Sequence, residues 1–458
     1  MEIFDVIVIG GGPGGYNAAA YASANGLSVL LFEKDELGGV CLNEGCVPSK
    51  TLLNSAKVLN GFLHGNDFGV DFTGDGKINA AAVVDRKNRV VKRLVAGVRS
   101  KLKSAGVTVL KEKAYIEKKE GEFFKVSGTS SAFLSKYLII ATGSHAFIPD
   151  IEGMGEAVEN GFALTNKEIL NLTEVPGKLL IMGGGVIGLE MADYYNAAGA
   201  EVTIVEMLPK IAGATDNAVS AVLKKALEKK GITFLLGTKV TKIKNGAVTV
   251  SDDDGERDIA ADKVLVSVGR RANVSGSGIE NIGLSVEKGA IVTDEKMRTD
   301  VKNVYAVGDV NGKVMLAHTA YREGEVAVND ILGKNDAMNY GVIPSVIYTY
   351  PEVASAGYTA EEARAAGINA DEISMSLMYS GRYIAENTDY TGIMKLVYDK
   401  DEKTLIGASV AGSYASEYIV AVSDLINLKV PLERVKKLVY PHPTVCEVIR
   451  EGVFEIKQ

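Results

Sequence analysis

The sequence predicts an α/β fold with two Rossmann-like βαβ units and a third, α+β domain at the C-terminal end. Three features of the 458-residue chain predict it. A glycine-rich turn joins a strand to a helix close to the N-terminus. The same pattern returns about 170 residues later. From about residue 340 the texture changes to short hairpins followed by helices.

In the first unit, "DVIVIG" is short, apolar and β-branched, as a parallel strand covered on both faces should be. "YNAAAYASANG" reads as a helix closed by Gly26, and "LSVLLFE" as the next strand. Gly10, Gly12 and Gly15 form the G-x-G-x-x-G turn between them. The first glycine allows the tight turn, the second lets backbone approach a pyrophosphate, and the third packs helix on strand. The helix N-terminus then meets the negative charge. Glu33 ends the second strand, where a carboxylate takes the ribose hydroxyls of a dinucleotide.

"KLLIMGGGVIGLEMADYYNAAGAEVTIVE" repeats the unit, with Gly183, Gly185, Gly188 and Glu206 in the corresponding places. A carboxylate at Glu206 repels a 2′-phosphate, so the second dinucleotide is expected to be NAD rather than NADP. The other reading of Glu206 is a surface charge at a strand end. Two dinucleotide sites in one chain suggest a flavin relay, with FAD fixed in the protein and NAD(H) exchanging.

Between the two units, residues 77–104 read as a long basic helix, taken as a solvated face rather than a patch for an anionic partner. Strands ending in glycine are expected at 136–144, 262–271 and 303–310. The expected domains are 1–145 (FAD-binding, first part), 146–268 (NAD-binding), 269–338 (FAD-binding and central, second part) and 339–458 (C-terminal interface).

Bulk composition excludes several classes. A net charge of −8 argues against nucleic acid as a partner. No uninterrupted apolar run is long enough to predict a membrane span. Asp5 interrupts the N-terminal apolar run and no basic segment precedes it, so it reads as a strand and not a signal peptide. Three cysteines are too few for a secreted disulfide scaffold, and a cytoplasmic location is expected.

Two of those cysteines, Cys41 and Cys46, stand in "GGVCLNEGCVPSK", just after the first nucleotide turn. With four residues between them they can close a small redox disulfide at the start of a helix, where the dipole favours a thiolate. Zinc is the rival reading, but no further Cys or His cluster offers two more ligands, and no metal is expected. Two inert buried cysteines are the other alternative.

This segment resembles the active-site stretch of the pyridine nucleotide-disulfide oxidoreductases. "IIATGS", "SVGRRAN", "NVYAVGDV" and "HPT" with a following Glu extend the resemblance, in order, over essentially the whole chain. The resemblance implies flavin-dependent oxidation of protein-bound dihydrolipoamide with reduction of NAD, within 2-oxo acid dehydrogenase or glycine cleavage complexes. A glutathione reductase-like activity is the alternative, but that would want arginines in place of Glu206. Mercuric reductase would want an extra C-terminal cysteine pair, absent from "REGVFEIKQ".

Roles carry over by position. The resemblance makes Cys41 the thiol that exchanges with substrate and Cys46 the thiol that faces the flavin. Lys50 would lie near the flavin's reactive edge, paired with Glu190. Further FAD contacts are implied at Pro13, Gly14, Lys34, Gly39, Val40, Ala114, Thr142, Gly143, Ser144, Asp309 and Ala317. NAD contacts are implied at Gly184, Val186, Ile187, Val240 and Gly269.

Thiol–disulfide exchange needs a base near neutral pH, and histidine fits. The chain has four: His64, His145, His318 and His442. His442 stands between two prolines with Glu447 five residues on, able to orient the imidazole. By resemblance these two form a dyad that reaches the disulfide of the other subunit of a homodimer, and the partner is a lipoylated carrier domain. A surface histidine is the plain alternative. His318 is expected to pack near the flavin, and Cys446 to be a small buried apolar residue.

Two positions depart from the family. Glu44 replaces a frequent valine, and unpaired it would raise the local thiol pKa. Tyr440 stands where another histidine is common. With Met1 leading straight into the first strand, no N-terminal lipoyl-type domain is expected.

Overall fold

The computed structural model describes residues 1–71, 73–389 and 391–457, which fall into two units. The first is built from residues 1–51, 84–147 and 269–340, the second from 52–83, 148–268 and 341–458.

In the first unit, β1 (Ile3–Ile9), α1 (Pro13–Ala24) and β2 (Val29–Phe32) form the expected βαβ turn. α2 (Gly39–Glu44) and α3 (Cys46–Leu63) follow, then α4 (Ala80–Ala105); residues 52–63 of α3 and 80–83 of α4 belong to the second unit. Asn79 caps α4 by accepting from the Ala82 amide at 3.1 Å, and Gly106, at φ +81°, ends it. β3 (Thr108–Leu110), β4 (Tyr115–Glu120), β5 (Phe123–Ser127) and β6 (Ala132–Ile140) complete this stretch.

The sheet runs β3-β2-β1-β6-β5-β4, with the strand Val304–Ala306 also paired to β6. β6 divides its outer edge: residues 132–135 pair antiparallel with β5, and residues 138–140 pair parallel with Val304–Ala306. That antiparallel pairing is why β6 starts before the expected 136. It stops at Ile140, ahead of the turn at Gly143. The helix Ala317–Ile331 packs on α1, where a Cβ on Gly324 would come within 2.9 Å of the Gly14 carbonyl.

The second unit holds a parallel sheet of Thr233–Leu236, Glu201–Glu206, Lys178–Met182, Lys263–Val266 and Ala163–Leu164, in that order. Both nucleotide-unit sheets place the first strand of the βαβ unit inside the sheet, flanked by parallel strands, and nucleotides bind at the carboxyl ends of such strands. After residue 340 comes a five-stranded antiparallel sheet: Ser345–Ile347, Val353–Gly357, Thr404–Ala411, Ile393–Asp399 and Ala370–Ser376. The helices Ala415–Asn427 and Glu447–Glu455 pack their apolar faces into its core. Among the described residues, no helix is long and apolar enough to cross a membrane.

One buried carboxylate organises the end of the first unit. Glu323 accepts from the Gly308 amide at 2.6 Å, Asn311 Nδ2 at 3.0 Å and the Tyr340 hydroxyl at 2.7 Å. Burial pushes its pKa up, and those three donors pull against it. The clamp fixes the turn that presents Asp309. Glu323→Ala leaves three donors without their acceptor, each costing about 1–3 kcal/mol when buried. The variant is expected to lose about 3 kcal/mol of stability or more and to retain less FAD, measured by thermal melting and by flavin absorbance per chain.

Candidate active site

The thiol pair sits on a break between two helices. Cys41 is the third residue of α2 and Cys46 the first of α3, with Gly45 between the helices at φ −146°, ψ −110°. A Cβ on Gly45 would stand 3.0 Å from the Val40 carbonyl, so the fold-back is tight. Both cysteines are thiols, hydrogen-bonded to each other, with Cys41 half-buried and Cys46 exposed. The hydrogen bond to Cys46, burial and the charge of Cys46 hold the Cys41 pKa well above the ordinary thiol value. The Lys50 ammonium, one turn along α3, pulls the other way.

Two tyrosines that the sequence patterns did not mark stand beside the thiols. The Tyr16 and Tyr321 hydroxyls are 2.6 Å apart, and both feel the charges of Cys41 and Cys46. Glu44 is not isolated either. The half-buried Arg270 guanidinium lies within electrostatic reach of Asp309, Glu44 and Cys46, so the unpaired carboxylate feared from sequence is offset by a cation. Arg270 donates to Ser144 Oγ at 2.7 Å and to the Ser144 carbonyl at 2.8 Å, and the Ser144 hydroxyl in turn donates to Asp309.

The first nucleotide turn is built for an anion. Gly10 has φ +106°, and a Cβ there would strike the Ala141 carbonyl at 2.2 Å. Gly12 caps α1 without a side chain, Pro13 begins the helix, and no acid stands in its first turn. A Cβ on Gly39 would meet the Gly12 backbone at 2.7 Å, and Gly14, Gly15 and Val40 complete the surround. Glu33 is fixed by backbone, accepting from Gly11 N at 2.7 Å and Asp35 N at 2.8 Å, while Lys34 beside it is exposed. Ala114 is buried between β3 and β4. Thr142 donates to the Asn273 carbonyl at 2.8 Å, and Gly143 takes φ +70°. Ala317 opens a helix with no side-chain cap and no acid in its first turn, and the buried Thr319 hydroxyl there has no partner.

The second turn repeats the design in the second unit. Gly183, at φ +102°, lies where a Cβ would meet the Ser267 carbonyl at 2.5 Å. Gly185 caps the helix Val186–Ala197 and leaves open space, with Val186 and Ile187 in its first turn and Gly188 against Gly183. Glu206 accepts from Gly184 N at 2.7 Å and Leu208 N at 2.8 Å, the same grip as on Glu33. Glu190 is buried on this helix and accepts from the Tyr348 amide at 3.1 Å. Val240 lies in the strand Lys239–Lys244, and Gly269, at φ +124°, precedes Arg270.

Also in the second unit, His442 Nδ1 is 2.8 Å from Glu447 Oε1, and Glu447 Oε2 accepts from the Thr444 amide at 2.7 Å. The His442 side chain is 77% exposed. Partial burial pushes the Glu447 carboxyl up, but the Thr444 amide and His442 outweigh it and hold the pKa below the usual range. Cys446 is half-buried against the core, with its sulfur 3.1 Å from the Thr444 hydroxyl, so it is less enclosed than expected. His145 is engaged with Asn273 Oδ1 at 2.7 Å and His64 with the Asn60 carbonyl at 2.9 Å. His318 is the second residue of the helix Ala317–Ile331. No group of described residues could hold a metal ion.

Residues 4–324 match the pyridine nucleotide-disulphide oxidoreductases, and residues 343–453 match the dimerisation domain of the same family. The chain belongs to this family. It is 36% identical over 451 residues to dihydrolipoyl dehydrogenase of Mycoplasma pneumoniae, covering 98% of this chain and 97% of the relative. The protein of that name from Acholeplasma laidlawii is 44% identical over 338 residues, 74% of this chain and 99% of the relative. The crystal structure of LpdA from Mycobacterium tuberculosis has the same fold, with a TM-score of 0.90, 23% identity and 100% of both chains covered. The protein is an oxidoreductase and a homodimer, and its cofactors are FAD and NAD. Both uncapped glycine turns, each with its backbone-held carboxylate, fit those groups.

A carboxylate fixed at Glu206 would disfavour a 2′-phosphate there. Catalytic efficiency with NAD is expected to exceed that with NADP at least about tenfold, the worth of one adverse charge contact. Glu206→Arg should narrow or reverse the ratio. Steady-state kinetics with both nucleotides checks this.

Proposed function

We propose that the protein oxidises dihydrolipoamide carried on a lipoyl-bearing protein of a multienzyme complex and passes the electrons to NAD. The observation that carries this reading is the thiol pair, held in mutual contact across Gly45 at the start of α3. The identity to dihydrolipoyl dehydrogenases over nearly the whole chain supports it. The scarcity of cysteine also supports a cytoplasmic setting.

In this reading the oxidised site holds a Cys41–Cys46 disulfide. His442 takes the proton from one substrate thiol, with Nδ1–H donating to Glu447 so that Nε2 accepts. The substrate thiolate attacks Cys41 Sγ, forming a mixed disulfide and releasing Cys46 as a thiolate. Loss of the second substrate proton lets that sulfur attack the first, closing the substrate disulfide and freeing Cys41. Two electrons and two protons leave the substrate, the equivalent of a hydride for NAD and one proton for solvent. FAD, when bound, supplies the two-electron link between Cys46 and NAD.

His442 and Glu447 act on the thiols of the partner subunit. The support is chain order: the thiols lie near the beginning, and the dyad closes the domain that matches the family's dimerisation domain. Lys50 tunes the thiol pair by charge.

Single substitutions separate the roles. Cys41→Ser is expected to abolish dihydrolipoamide turnover and to keep the visible absorption of a thiolate against the flavin. Cys46→Ser should lose both. Normal turnover by the Cys41 variant would overturn the assignment. His442→Gln should cost about two to four powers of ten in turnover, the usual worth of a general base, with flavin content unchanged. Glu447→Gln should cost less, since it orients the ring.

A further inference from the structure

Charge is segregated sharply on this chain. α4 carries eight Lys and Arg residues and one Asp, a net charge of +7. The whole chain is −8, so the rest of it is −15. Only Lys87 of the eight is buried. A solvated helix face normally alternates its charges and binds them in i,i+4 pairs. α4 has a single such pair, Arg89 with Asp85 at 3.2 Å. Arg86, Lys92, Arg93 and Lys103 make no ion pair among the described residues.

The arrangement works against the helix itself. Arg89 has like-charged neighbours at Arg86, Lys92 and Arg93, spaced by three or four residues, each costing about 0.2–0.5 kcal/mol. Folding therefore gives no reason for this stripe.

At its other end the same helix meets Tyr16, the tyrosine beside the thiols. Lys101 Nζ bonds Asn17 Oδ1 at 3.1 Å and lies 5.7 Å from the centre of the Tyr16 ring, and Tyr16 feels the charges of both thiols. At 1.5 Å per residue, about 13 Å of helix separates Lys92 from Lys101. A carboxylate already docks on this helix from within the chain: Glu36 sits 3.7 Å from Arg99 and also pairs with Lys111. Leu94 is exposed among the cations, which suits a folded protein surface better than a polyphosphate.

We propose that the outward face of α4, centred on Arg86, Arg89, Lys92 and Arg93, docks an acidic carrier domain whose dithiol arm then reaches Cys41 past the Lys101 end. This rests on the substrate proposed above and specifies how it is delivered. The stripe would raise the encounter rate by steering and fix the carrier beside the site.

The test is R86Q/K92Q/R93Q in the full-length holoenzyme. It is assayed with a recombinant lipoylated domain of net negative charge and with free dihydrolipoamide, at low and high ionic strength. The expected result is a fall in kcat/KM of about tenfold or more on the carrier at low ionic strength, where screening is weak. On free dihydrolipoamide nothing should change, and the variant should lose the wild type's salt sensitivity. Its thermal midpoint should not fall, because repulsion with Arg89 is relieved. Unchanged kcat/KM on the carrier, or an equal loss on free substrate, would overturn the docking surface. So would tighter binding of the wild type to phosphatidylserine vesicles or duplex DNA than to the carrier domain. Failure of the wild type on free dihydrolipoamide would instead overturn the substrate reading itself.

Discussion

The chemistry of this fold depends on a proton that Cys41 does not give up easily. Its partner thiol, its burial and the charge beside it all hold the proton on, and Lys50 only partly relieves this. In the oxidised site of the proposed reaction the pair is a disulfide with no proton acceptor of its own, and exchange runs through a substrate thiolate, so the base comes from outside the pair. Of the four histidines, His442 is solvent-facing and tied to the Glu447 carboxylate. Glu447 is held ionised by the Thr444 amide and the imidazole, which suits it to orient the ring and to stabilise it when protonated.

The two nucleotide turns answer a different demand with one device repeated. Each must leave helix amides free for a pyrophosphate while still holding a carboxylate nearby for a ribose. Like charges would repel if the acid swung inward. Both acids are instead locked by two backbone amides, one from the glycine turn and one from beyond the strand. The carboxylates cannot turn toward the phosphate site without losing both bonds.

Much of this was legible in the chain. The glycine turns, the paired acids and the spacing of the cysteines are local patterns, and local geometry dictates them. What was hidden depends on contacts distant in sequence. Tyr16 and Tyr321 meet across 305 positions, and nothing near either one signals the other. Arg270 reaches Ser144 across 126 positions, so the cation that offsets Glu44 could not be read from the cysteine segment. β6 begins four residues before its expected start because β5 pairs with its first half, a partner that the hydrophobic run alone does not name. α4 was legible as basic, but not that Arg86, Lys92, Arg93 and Lys103 make no ion pair among the described residues: pairing is a property of the neighbours.

The central claim is that each active site takes its thiols from one chain and its base from the other. A mixed dimer tests it most directly. Cys41→Ser chains, differently tagged, are combined with His442→Gln chains, and the heterodimer is purified and assayed for dihydrolipoamide oxidation. With sites built in trans, one site carries both lesions and the other carries neither. The heterodimer should then recover about half of wild-type activity, far above either parent, since each lesion alone removes about two powers of ten or more. A heterodimer as inactive as its parents, with subunit exchange confirmed, would contradict the account.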